Sequence, residues 1–211
     1  MKLGKLGLLA AAALVLSGMV QTPAHAIANL IVNPGFEDPI TFDGPPFVGS
    51  WEGFSGGAGS AAANANVMPH GGLQHLLLAI TNTDNTFAGA FQDVSGLLPG
   101  DTYTFGGWHM TPSSPLDLGV EVRIEWRNSV SNSEISRTPN LTPIPGGAYS
   151  QFSITATVPP GANSARVVYA IQTFGGEPSN NGTVYVDDVS FSGQPTPAMG
   201  STWGRLKGLY R

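Results

Sequence analysis

The chain has 211 residues, 9 basic against 14 acidic side chains for a net charge of −5, and no cysteine. The missing cysteine excludes disulfides, thiolate metal sites, thioether haem attachment and cysteine nucleophiles. Between residues 27 and 193 there is no lysine, and four arginines stand against all fourteen carboxylates, a net charge of −10; such an acidic stretch repels phosphate backbones and excludes nucleic acid as an expected partner.

The first 26 residues read as a cleavable export signal. Lys2 and Lys5 give a positive start, Leu6 to Val20 is an uncharged apolar run, and Ala24-His25-Ala26 supplies the small residues two apart that a signal peptidase accepts. The apolar run is shorter than the roughly 20 residues that span a bilayer, and no second run is long enough, so no transmembrane segment is expected in the mature chain. Cleavage after Ala26 leaves 185 residues, enough for one well-cored domain, and places the protein outside the cytoplasm: secreted, on the cell surface or in the periplasm.

Residues 27–193 predict an all-β domain, an antiparallel β-sandwich or jelly roll. Short runs recur between Gly- and Pro-rich turns at Asn29–Asn33, Phe47–Phe54, Gln74–Thr81, Thr86–Val94, Thr102–Met110, Gly119–Arg127, Tyr149–Val158, Ala165–Thr173 and Thr183–Phe191. Two of them alternate plainly. Val120, Val122, Ile124 and Trp126 share one face while Glu121, Arg123, Glu125 and Arg127 share the other; Phe152, Ile154, Ala156 and Val158 alternate with Gln151, Ser153, Thr155 and Thr157. One dry and one wet face is the pattern of an antiparallel sheet. Residues 56–66, made of Gly, Ala, Ser and Asn, read as a mobile loop. Residues 194–211 read as a Pro-containing linker followed by a basic tail, TWGRLKGLYR.

Three segments carry a resemblance: NLIVNPGFE (Asn29–Glu37), GLLPGDTYTFGGWHM (Gly96–Met110) and VYVDDVSF (Val184–Phe191). Together they resemble the jelly-roll carbohydrate-binding modules attached to bacterial xylanases and glucanases, within the galactose-binding-like fold. The resemblance implies a structural calcium held by Glu37 and Asp187 with help from backbone carbonyls, and a third contact near Gly71–Leu73, where PHGGLQH departs from the usual pattern. Carboxylate oxygens suit this hard cation, and a clamp between the chain ends would offset the missing disulfides. The last strand is expected to send Asp187 and Asp188 to opposite faces.

Sugars are held by flat aromatic faces with polar side chains reading the hydroxyls. With Tyr103 and Phe105 in the core, Trp108 is expected to project over small neighbours, with the polar face Glu121, Arg123, Glu125 and Arg127 beside it as a hydrogen-bonding wall; Trp51 is a second aromatic candidate and Tyr149 a weak third. Catalysis finds little support. Gly53-Phe54-Ser55-Gly56-Gly57 lacks the spacing of a nucleophile elbow, and His70, His75 and His109 form no metalloprotease motif. No acid among Glu121, Glu125 and Glu134 stands out as a glycosidase residue. His109 reads as a hydrogen-bonded core residue. The expected partner is a polysaccharide or cell-envelope glycan; the alternative is a structural or adhesive surface protein that uses the fold as a spacer.

Overall fold

The computed structural model describes residues 28–81, 84–112, 116–174 and 181–193; the segments read as an export signal, a linker and a basic tail lie outside them. The described residues form ten strands and no helix: β1 (Glu52–Ser55), β2 (Ser60–Ala65), β3 (His75–Ile80), β4 (Phe87–Ser95), β5 (Thr102–Met110), β6 (Gly119–Asn128), β7 (Ser133–Arg137), β8 (Ser150–Thr157), β9 (Ser164–Gln172) and β10 (Gly182–Gly193). They pair antiparallel in two five-stranded sheets of order β1-β4-β9-β6-β7 and β2-β3-β10-β5-β8. The expected antiparallel sandwich is therefore present.

The alternation of each strand decides what lies between the sheets. Val120, Val122, Ile124 and Trp126 of β6 are buried against Val167, Tyr169 and Ile171 of β9 on one side, and Leu76, Leu78, Ile80, Phe105 and Phe152 come from the other sheet. A polar bond links the two sheets through this core: His109 Nδ1 on β5 lies 2.6 Å from the Tyr169 hydroxyl on β9, and both residues are almost fully enclosed. His109 is thus the hydrogen-bonded core residue its position suggests.

Four local expectations are corrected. Residues 60–65, read as part of a mobile loop, form edge strand β2, whose ladder with β3 supplies the order its weak strand formers lack. The Asn64 side chain anchors it further, donating to the Phe36 carbonyl (2.6 Å) and accepting from the Ile40 amide (2.8 Å). Residues 29–33 do not form a strand. They follow β10 through separate bonds, Leu30 N to Phe191 O (2.8 Å) and Val189 N to Pro34 O (3.0 Å), because Asn33 and Phe36 at φ 53° turn the chain. The run from Phe47 shortens to β1, and β7 adds a strand that its polar sequence hides.

The fourth correction concerns the two aspartates. Core-facing residues in β10 run Val184, Val186, then Val189, Phe191, so the alternation slips by one at a bulge between Asp187 and Ser190, with Asp188 at φ 45°. The slip turns both aspartates to the outer side, rather than one to each face. There they meet the same loop: Asp187 Oδ2 accepts from the amides of His70 (2.8 Å) and Gly71 (3.0 Å), and Asp188 Oδ2 lies 2.6 Å from His70 Nδ1.

Candidate functional site

The outer face of the first sheet is built from the residues that alternate out of its core. Cross-strand register sets them in rows: Glu52–Phe91–Val168–Arg123, then Phe54–Gly89–Ala170–Glu121, then Asp93–Arg166–Glu125–Arg137. One half is aromatic. Phe54 lies 5.9 Å from Phe87 and 6.2 Å from Phe91 between centroids, Phe47 meets Phe91 edge-on at 5.1 Å, and Phe174 extends the patch at 6.0 Å from Phe87. Glycine is required at position 89 because the Phe54 ring lies across it, where a Cβ would stand.

The other half is charged, and all four arginines between residues 27 and 193 sit on it. Arg123 Nε donates to Glu125 (2.9 Å), Arg127 and Arg137 approach the same carboxylate at 3.4 and 3.8 Å, and Arg137 also grips Glu134 at 2.6 Å. Glu125 is only 5% exposed; unpaired, a carboxylate so enclosed would cost several kcal/mol. The Arg137 hydrogen bond holds the Glu134 carboxyl below its usual pKa. Arg166 joins the two halves. Its guanidinium stands 3.7 Å from the Phe91 centroid while pairing with both Asp93 oxygens at 2.7 and 2.8 Å, a stacked cation worth about 0.5–2 kcal/mol.

The outer face of the second sheet is more closed. Thr102–Thr157 and Thr104–Thr155 hydroxyl pairs (2.9 and 2.8 Å) line β5 and β8. Trp108 continues that face, half-buried under the His70 ring at 4.2 Å and 19°; Tyr149 meets His70 edge-on and donates its hydroxyl to the Met68 carbonyl. Burial, first of all, pushes the Tyr149 hydroxyl pKa up. Beneath the same loop Asp187 is fully enclosed, and burial raises its pKa although three amides, of His70, Gly71 and Asp188, donate to it. Glu37 Oε1 accepts from Leu73 N (2.8 Å) and Gln74 N (3.3 Å). The two acids named as a clamp therefore hold one loop from both chain ends.

Two site expectations change. Trp51 is 1% exposed, packs at 4.8 Å on Phe36 and donates its indole N–H to the Asn33 carbonyl at 3.0 Å; it fastens the first turn and has no face left for a ligand. Glu121, Arg123, Glu125 and Arg127 do not wall Trp108, because β6 belongs to the first sheet and β5 to the second. Strand alternation tells which residues share a face but not which strand lies next door.

Residues 28–179 match the CBM_4_9 family, described as a carbohydrate binding domain. The chain belongs to that family. Among solved structures, the carbohydrate-binding domain resembles the Family 16 Carbohydrate Binding Module-2 (19% identity, TM-score 0.51, covering 77% of this chain and 99% of that one). It also resembles the CBM22-1 xylan-binding domain of Paenibacillus barcinonensis Xyn10C (11%, 0.52, 81% and 99%). A third similarity is to the enzymatically active domain of tailspike protein 4 from bacteriophage CBA120 (15%, 0.60), where it covers 79% of this chain and about a fifth (21%) of the tailspike. These likenesses establish a shared fold. No curated protein matches in sequence. No described helix is long and apolar enough to cross a membrane.

Sequence reasoning missed the aromatic half of the carbohydrate-binding domain's open face. In β4, Phe87 and Phe91 alternate with Ala88, Ala90 and Gln92, a pattern that leaves the inward side of this strand unassigned. The structure assigns it: Ala88 and Ala90 are fully buried, Gln92 is enclosed and bonds the Val32 backbone, and the rings face out. Each side of β4 carries apolar residues and a polar one, Gln92 with the alanines and Asp93 with the phenylalanines, so alternation alone does not separate them.

Proposed function

We propose that this chain is an exported, non-catalytic glycan-binding protein that holds its ligand on the outer face of the first sheet. Membership of a carbohydrate-binding family gives the ligand class, and the observation that carries the reading is the row Phe91–Val168–Arg123. It sets an aromatic ring, an apolar floor and a guanidinium across three adjacent strands. A pyranose presents C–H faces and hydroxyl edges in the same combination. Arg123 is fixed by Glu121 and Glu125, so it meets a hydroxyl without first being ordered. Binding to a panel of soluble polysaccharides, including xylan, tests the proposal. Phe91→Ala and Arg123→Ala should weaken binding while Trp108→Ala leaves it intact; the opposite pattern would move the site to the second sheet.

We also propose a structural calcium at Glu37 and Asp187. Asp187 is fully enclosed and has no cationic side chain bonded to it, which fits a buried cation. Among the described residues no three acidic or imidazole side chains group as a metal centre, so backbone carbonyls would have to complete the shell. Melting with added calcium and then with chelator tests this: a rise in Tm that Asp187→Asn abolishes supports it, and an unchanged Tm rejects it.

A further inference from the structure

A sheet edge exposes backbone donors and acceptors that can pair with another chain, and proteins guard such edges with charge, short length or a covering segment. Three of the four edges here are guarded. β1 has four residues, and Thr41 runs along it through Thr41 N to Trp51 O and Gly53 N to Thr41 O. β2 is held by residues 36–40 through Asn64. β7 is short, carries Glu134 and Arg137, and pairs through a bulge. The fourth edge, β8, has eight residues, Ser150–Thr157, with no charge, no proline and no bulge, and no described residue pairs beyond it.

The direction of its free groups follows from the ladder. Val158 N donates to Asp101 O across the β5–β8 pair, so the even-numbered residues of β8 address β5. Gln151, Ser153, Thr155 and Thr157 then point their N–H and C=O groups outward. The threonine pairs agree: side chains approach most closely at non-hydrogen-bonded positions, where Thr104–Thr155 and Thr102–Thr157 are found at 2.8 and 2.9 Å.

We propose that β8 is a homodimerisation edge, at which two copies of this chain pair antiparallel with Ile154 opposite Ile154 of the second copy. That register is self-complementary. It sets Ser153 against Thr155 and Gln151 against Thr157, so every outward N–H meets a carbonyl and none is left over. Ile154 and Ala156 pack on the core yet stay only partly buried, and the second copy covers their exposed side. Because β8 carries no charge, the pairing brings no like charges together at the strand, although the domain is strongly acidic. The joined sheets leave both first-sheet faces open, so the inference stands apart from the sugar proposal.

Light scattering of the full chain over a concentration series gives the mass. Two copies are expected for the wild type. Ser153→Pro and Ser153→Lys should each give one copy with an unchanged far-ultraviolet spectrum, since the Ser153 amide serves no bond inside the monomer. Hydrogen exchange reads the same edge without a variant: the amides of Gln151, Ser153, Thr155 and Thr157 should slow together as concentration rises. A wild-type mass of one copy, dimeric Ser153 variants, or concentration-independent protection of those amides, as a segment of the same chain lying on β8 would give, overturns the proposal.

Discussion

The two outer faces of the sandwich have the same strand geometry and opposite characters. The first sheet leaves five phenylalanines and a fixed arginine–carboxylate lattice open. The second carries a loop held by Glu37, Asp187 and Asp188 and closes Trp108 beneath His70. A tryptophan is the more obvious sugar platform by residue type, yet the surroundings decide availability. Trp108 gives one ring face to His70 and Phe91 gives one to Arg166, so what sets the first sheet apart is the run of neighbouring rings and fixed arginines beside Phe91.

Four changes would break or sharpen this contrast. Asp187→Ala should cost the most stability, roughly 3 kcal/mol or more, because the amides of His70, Gly71 and Asp188 lose their acceptor; chemical denaturation measures it, and sugar binding should survive at temperatures where the protein stays folded. Acid should loosen the core that both faces share. Burial pushes the His109 pKa down to about 4 and lowers that of His75, whereas an unfolded histidine titrates near about 6.5. The unfolded chain therefore takes up protons first as pH falls, and stability should drop between about pH 6.5 and 4 by about 3 kcal/mol from His109 alone. Asp187, with its raised pKa, opposes the trend at the lower end. His109→Gln should flatten the melting-versus-pH curve.

Smaller effects follow on the open face. Phe91→Ala should weaken glycan affinity about tenfold, or about 1.4 kcal/mol, with a lesser loss of stability because the ring is only half-buried; titration calorimetry separates the two. Thr104→Val, on the closed face, removes one exposed hydroxyl pair and should cost about 0.5–1 kcal/mol of stability with no change in binding.

Much of the fold is legible along single strands. The alternation in β6 and β8 assigns their core-facing residues correctly, because one side of each strand is apolar and the other polar, although the carboxylate of Glu125 on the polar side is buried as well. β2 is illegible for the opposite reason: Ala, Ser and Asn carry no strand preference, and β3 and Asn64 impose the conformation. The phase slip in β10 is equally hidden, since nothing in VDDVSF shows that Asp188 adopts φ 45°. The site was half visible. Its charged residues announced themselves by alternation, but their aromatic neighbours lie on strands far away in sequence, brought beside β6 only by the order β4-β9-β6.

The bonds from Leu30 to Phe191 and from Val189 to Pro34 bring the two ends of the domain out side by side. Tension applied through the flanking chain would load these bonds in succession, as a zipper opens, rather than all at once. The acid clamp around Glu37 and Asp187 lies immediately behind them, so it takes the load once they have opened.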